Sequence, residues 1–270
     1  MTFENLFDYS ATQFEVVLGV LSLTAAVFAA ALVYYLLTAR SLTPRLRITS
    51  YLSAVVMVSA IIELGALALR WNGSFEWSGS SFVLKQGELF ANGFRYMNWS
   101  IDVPVLLTQL LIVGGITGVA FRSKWIQFVV AGLAMIWTGY AGQFNELEAG
   151  AAFWGWGAVS TVFYIWLLKV AYDEIKEAKA KQPSVASALN AVWILFIVSW
   201  SIYPIAYLMP VISETANGVV ARQVIYSFAD IFSKAVYGVM LGFIAQKLSA
   251  EEGYEPAIET SYWRDPVKAS

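Results

Sequence analysis

Apolar residues in this chain gather into long unbroken runs rather than into the narrow 3.6-residue stripes of surface helices. Seven runs are long enough to cross a bilayer: Val16–Leu37, Ile48–Leu69, Tyr96–Val119, Trp125–Gln143, Ala149–Leu168, Ala188–Met209 and Val224–Ala245. A crossing needs about 20 such residues. The first, fourth and fifth runs carry almost no polar face, which a soluble all-helical protein would need. The pattern predicts an all-α membrane protein of seven transmembrane helices, with short links and mostly antiparallel neighbours. Between the second and third runs, "SFEWSGSSFVLK" alternates aromatic and polar residues around Ser78-Gly79-Ser80. That alternation predicts a small extracellular β-hairpin. Residues 1–248 form one seven-helix domain, and 249–270 a polar cytoplasmic tail with Glu251, Glu252, Glu255 and Glu259. The tail is expected to be solvated and partly disordered. Nothing marks inverted repeat halves.

Charge settles orientation and removes several functions. Charged residues make up 13% of the chain, about half of the roughly 25% usual in soluble domains. A net charge of -2 argues against a nucleic-acid partner. Cysteine and histidine are both absent. Their absence excludes disulfides, thiol catalysis, thiolate metal sites and the commonest general base. No hydrolytic or redox constellation points to a conventional enzyme. The first link holds Arg40, Arg45 and Arg47, the third Arg122 and Lys124, and the fifth Lys176, Lys179 and Lys181. The stretch before Arg40 and the fourth link hold no Lys or Arg. The positive-inside bias therefore puts the N-terminus outside and the C-terminus in the cytoplasm. No basic n-region precedes the first run, so a cleaved signal peptide is not expected.

Five ionisable residues lie within the spans or just inside their ends: Glu63, Arg95, Asp102, Asp230 and Lys234. Each would cost roughly 2.5–3.5 kcal/mol or more facing lipid alone, so they face the interior and find partners. At about 100° per residue, Arg95, Asn98, Asp102 and Gln109 fall within an arc of about 60° on the third helix. Asp230 and Lys234 are four apart on the seventh helix, and Glu63 follows Ser59 by four on the second. Structural ion pairing between helices is one reading. A polar seam shared by three helices favours an ion path, because buried pairs seldom repay their desolvation.

Lys234 is the sharpest feature. A buried lysine readily becomes a neutral amine suited to Schiff-base formation with an aldehyde. Large flat side chains accompany it: Trp99 on the third helix, Trp156 on the fifth, and Trp200, Tyr203 and Tyr207 along one face of the sixth. Such aromatics are more often packing than a cofactor box. Together with a mid-membrane lysine they suggest a pocket for a long conjugated aldehyde. Pro104, two residues past Asp102, removes a backbone hydrogen bond from the third helix. It fits an ordinary membrane-helix kink or a flexible point beside the acid.

"RYMNWSIDVP", "WSIYP" and "DIFSK", in this order, resemble the microbial rhodopsins, seven-helix proteins that bind all-trans retinal. The resemblance implies a retinal Schiff base on Lys234, with Trp99, Trp200, Tyr203 and Pro204 around the polyene and Met135, Gly139 and Ser160 near its ring. Asn98, Asp102 and Gln109 stand where proton pumps of the family have Asp, Thr and Asp. This set is similar to that of the bacterial light-driven sodium pumps, as are "SAVVMVSA", "TGYAGQF" and "ARQ". The implied function is light-driven outward sodium transport across the bacterial inner membrane. An outward proton pump is the alternative, also as a second activity without sodium, and a sensory photoreceptor the less favoured one.

On this resemblance Asp102 takes the Schiff-base proton, and Asn98, Ser59 and Asp102 hold the sodium ion in transit. Asp230 acts as a second carboxylate, and Arg95 gates the extracellular side. Glu4, Glu146 and Arg222, with Gln143 close by, match the family's exit network. Glu88 matches an interface sodium site of a homo-oligomer, by resemblance a pentamer. Ser50, Ser53 and Gly242 lie on the cytoplasmic path, and at Ser50 the better-known pattern has asparagine. Solvated loop positions are the plainer reading of Glu4 and Glu88. Glu63 departs from the apolar residue common at its place. One turn from Ser59 and near Asp102, it is expected to share one proton with Asp102, Glu63 neutral and Asp102 ionised.

Overall fold

The structure, a computed structural model, describes residues 2–254. Seven helices among these residues are long and apolar enough to span a membrane. They are α1 (Ala11–Thr38), α2 (Pro44–Ser74), α3 (Gly93–Val113), α4 (Gly118–Gln143), α5 (Ala151–Lys181), α6 (Ala186–Ile212) and a composite seventh rod. The seventh rod runs through α7 (Ala216–Asp230), a π-helical turn (Ile231–Val236) and α8 (Tyr237–Glu251). Strands β1 (Phe75–Trp77) and β2 (Phe82–Leu84) pair antiparallel, with Phe75 opposite Leu84 and Trp77 opposite Phe82. They form the expected hairpin.

Sequential helices pack side by side, and α1 closes the ring against α7. Within its most apolar stretch α3 is 61% buried and α5 only 11%. Hence α3, the helix with the polar seam, runs through the middle of the bundle, while α5 is a lipid-facing wall. Polar groups placed on α3 are thereby removed from lipid.

Several ends differ from the hydropathy reading. The third helix stops at Val113, not Val119, because Gly114 caps it and Gly115 takes a positive φ of 72°. Both glycines are apolar enough to hide a chain break inside a hydrophobic run. The fifth helix continues past Leu168 to Lys181, beyond its apolar stretch, where Lys169–Asp173 and Lys181–Glu177 pairs at i,i+4 support it. The last helix continues to Glu251, and Ser249 is buried with its hydroxyl accepting from the Thr43 N–H at 3.0 Å. The first residues after 248 are thus packed against the first link, whereas Glu255 and Glu259 lie outside the described residues.

At the hairpin end of the bundle an aromatic cluster fixes the chain's beginning. Phe14 stacks on Phe82 at 3.8 Å, Tyr9 meets Trp71 edge-on at 4.9 Å, and Tyr9 bridges to Phe82 along the backbone. The Asn5 amide exchanges two hydrogen bonds of 2.8 Å with the Phe90 backbone. These contacts fold the 3-10 turn Phe3–Asn5 under the bundle and carry Glu4 inward with it.

Candidate functional site

Lys234 sits at the centre of the bundle, 2% exposed, in the π-helical turn of the seventh rod. Its Nζ lies 3.0 Å from Asp102 Oδ2, 3.0 Å from Asp230 Oδ1 and 3.0 Å from Asn98 Oδ1. Asn98 completes its amide by donating to Ser59 Oγ at 2.6 Å. The polar faces of α2, α3 and the seventh rod therefore converge on one amine. Tyr203 on α6 donates to Asp230 Oδ1 at 2.7 Å and shares its hydroxyl with Ser233 at 2.7 Å.

Toward the hairpin end the chain of polar groups is continuous. Arg95 Nη1 donates to Asp230 Oδ2 at 2.9 Å, and Nη2 to Gln223 Oε1 at 3.1 Å. Gln223 passes on to Glu4 at 3.1 Å and Asn92 at 2.9 Å, and Asn92 donates to Glu4 at 2.6 Å. Arg222 then binds Glu4 at 3.1 Å and Glu146 at 2.7 Å. Glu4, Glu146 and Arg222 are all fully buried, so Glu4 is no solvated loop residue. Gln143 is buried beside this end, yet its amide makes no hydrogen bond.

The two acids outside the spans respond differently to their single cation. Burial pushes the Glu4 carboxyl up, but the Arg222 guanidinium and the Asn92 hydrogen bond help to outweigh it and hold Glu4 below the usual carboxylate value of 4.5. Burial dominates at Glu146 and raises it despite Arg222, with the Glu4 charge adding to the rise.

Toward the opposite end, Gln109 donates to Ser53 Oγ at 2.9 Å and to the Thr49 carbonyl at 3.1 Å. Ser50 spends its hydroxyl on the Tyr35 carbonyl at 2.7 Å. Gly242 faces open space.

Glu63 stands beside both buried cations of the site. Its carboxyl points between Arg95 Nη1 at 3.5 Å and Lys234 Nζ at 3.9 Å, and neither oxygen has a hydrogen-bond partner. One turn of α2 beyond Ser59 carries it toward the hairpin end, on the arginine side of the amine. The sharing of charge is thus among three acids (Glu63, Asp102, Asp230) and two cations.

Lys234 also lines a cavity of about 390 Å³, within the range of ligand pockets. Trp99, Trp200, Tyr203, Pro204 and Tyr207 line it, as do Met135, Gly139 and Ser160. Trp99 meets Tyr203 edge-on at 5.1 Å. A Cβ at Gly139 would lie 3.4 Å from Ser160 Oγ, so the glycine keeps that part of the wall thin. An elongated apolar aldehyde that ends at an amine fits this enclosure. Trp156 is the exception. It is 42% exposed and not part of the wall. The α5 residues that line the cavity, among them Phe153, Trp154, Gly157, Ala158, Thr161 and Tyr164, occupy one arc of the helix, and Trp156 falls beyond the edge of that arc. Glu88 is exposed, between the hairpin and α3.

The family model for bacteriorhodopsin-like proteins matches residues 16–248. This chain belongs to that family. Blue-light absorbing proteorhodopsin of gamma-proteobacterium Hot 75m4 is 32% identical over 212 residues, covering 70% of this chain and 80% of that protein. Among solved structures, a thermophilic rhodopsin superposes with a TM-score of 0.85 at 32% identity, covering 92% of this chain and 100% of that one. Xanthorhodopsin, described as a light-driven ion pump with dual chromophore, gives 0.85 at 29% identity over 92% and 99% of the two chains.

In this bacteriorhodopsin-like chain some site residues escaped the sequence reading. Gln223 links Arg95 to Glu4, and Tyr226 lies under Arg95, whose guanidinium is 5.2 Å from the ring. Both share a helical face with Asp230, a phase signal that could have found them. Asn92 and Ser233 gave no such signal, since each is a short polar residue near a helix end or turn.

Proposed function

We propose that this rhodopsin is a light-driven pump that moves sodium ions outward through the bacterial inner membrane, hairpin end outside. Retinal, bound covalently through Lys234, supplies light absorption and isomerisation. The observation that carries the reading is the placement of Asn98: its amide oxygen and Ser59 stand beside Nζ, and Gln109, not a carboxylate, stands on the uptake side.

While Nζ is protonated it blocks a cation at this point. A unit charge about 4 Å away is repelled by roughly 4 kcal/mol at an effective permittivity near 20. Asp102, 3.0 Å from Nζ, is placed to take that proton, which cancels both charges together. The oxygens of Asn98, Ser59 and Asp102 then offer a hard cation the ligands it prefers. Return of the proton from Asp102 to Nζ restores the barrier behind the ion. Arg95, held by Asp230 and Gln223, is the next positive charge that the ion must pass. Gln109 donates no proton, so the uptake side need not supply one.

A second reading, an outward proton pump, is favoured by the continuous line of hydrogen-bonded and ion-paired groups from Asp102 and Asp230 through Arg95 and Gln223 to Glu4. Illumination of cells in sodium and in potassium medium, with a protonophore present, separates the two. External alkalinisation that requires sodium supports the sodium pump. Acidification that the protonophore abolishes establishes the proton pump instead.

A further inference from the structure

Arg95 meets three different groups on one face of α7. Gln223, Tyr226 and Asp230 are spaced three and four apart, the repeat that stacks side chains along a helix. Asp230 Oδ2 accepts from Arg95 Nη1 at 2.9 Å and Gln223 Oε1 from Nη2 at 3.1 Å. The centroid of the Tyr226 ring lies 5.2 Å from the guanidinium carbon. From Asp230, beside Lys234, to Gln223, toward the hairpin end, the helix rises about 10 Å. Tyr226 fills the interval between the carboxylate and the amide.

The guanidinium is held by the tips of its fork, while Nε is buried without a partner. A buried donor left open needs a reason, and a side chain that exchanges partners supplies one. Arginine suits such a track, because its planar cation both forks onto oxygens and stacks on aromatic faces. The ring face attracts a cation through its quadrupole without fixing a hydrogen-bond geometry. Tyr226 is 1% exposed and also forms part of the wall of the Lys234 cavity. It meets Trp99 edge-on at 5.5 Å and tilts against Tyr203 at 6.1 Å. One ring therefore touches both the cavity wall and the outer cation.

We propose that Tyr226 is the seat on which Arg95 turns between Asp230 and Gln223, and that it links displacement of the cavity wall to this turn. This rests on the light-driven pump reading but not on the choice of ion. A cation arriving beside Asp230 repels Arg95, which moves toward Gln223 and Glu4 with the ring still beneath it. Without the ring, the guanidinium leaves the carboxylate with nothing in its place, and an unpaired buried charge is costly. Closely packed interiors transmit small displacements, so a shift of Trp99 or Tyr203 reaches the seat. Tyr226 is a positioning residue in this scheme, acting on the transported ion through Arg95.

The test uses full-length protein with isotope-labelled arginine in lipid vesicles, and the variants Tyr226→Leu and Tyr226→Phe. Two quantities are read. One is the Arg95 Nε–H resonance, assigned by its loss in Arg95→Lys, in retinal-free and retinal-loaded protein. The other is the rate of the last light-driven charge movement toward the hairpin side. In the parent, the Tyr226 ring current should displace the Arg95 resonance from that of exposed Arg45, and illumination should move it. A cation–π contact, from exposed to desolvated, predicts that Tyr226→Leu slows the charge movement roughly 5- to 30-fold. Tyr226→Phe keeps the ring and should restore both the resonance and, to within about 2-fold, the rate. A parental rate in Tyr226→Leu overturns the seat. If that variant does not fold, the parent decides, and an Arg95 resonance with no ring-current displacement overturns the seat. A parent that forms no visible pigment with retinal overturns the light-driven reading instead, while the retinal-free resonance still reports whether the ring bears on Arg95.

Discussion

Replacing Arg222 by leucine removes the cation that Glu4 and Glu146 share at the hairpin end. All three side chains are fully buried, at 3.1 and 2.7 Å from one another across the two pairs. Removing one partner of a buried ion pair costs about 3–5 kcal/mol, because the remaining charge is left without water or counter-charge. For chains of 150–250 residues each kcal/mol lowers Tm by about 2–4 °C, so a fall of about 6–20 °C is expected. Thermal unfolding in detergent micelles at neutral pH, followed by tryptophan fluorescence, measures it. A second protein carrying Arg222→Leu with Glu4→Gln and Glu146→Gln should recover at least half the loss, since no uncompensated charge remains. A fall below about 2 °C in the single variant would refute the desolvated cluster, being under 1 kcal/mol. A triple variant as unstable as the single one would place the cost in packing rather than in charge.

Three further outcomes are expected. Lys234→Ala should give folded protein that stays colourless when retinal is added, whereas a visible band would remove the covalent attachment point. Glu63→Leu should change the pH dependence of the visible band, because one of three carboxylates facing Lys234 and Arg95 is gone; superimposable titrations would exclude its sharing of charge with them. Glu4, held below 4.5 in the folded protein, stabilises it above that pH, and the stabilisation disappears as pH falls through the folded value. The stability gap between the parent and Glu4→Gln should therefore be full near pH 7 and close in acid, and a gap independent of pH would contradict the Arg222 pairing.

The sequence by itself determined the seven-span architecture, the hairpin and the convergence of charge on Lys234. Bilayer thickness sets a length that apolar runs must meet, and intramembrane charges must face inward, so both are readable without coordinates. The α3 seam is legible for the same reason: helical phase alone puts Arg95, Asn98, Asp102 and Gln109 on one face. Phase on one helix does not say what the neighbouring helix presents, and there the tertiary structure decided. It set Glu63 beside Arg95 as well as Lys234, and it left Trp156 outside the cavity on the exposed side of α5. It also buried Glu4 by folding the first residues under the bundle, and brought Tyr35 onto Ala235 across 200 residues. These depend on helix rotation, on a π-helical turn that shifts register, and on glycines that admit close approach. All three are set by packing between elements, which a one-dimensional pattern does not encode.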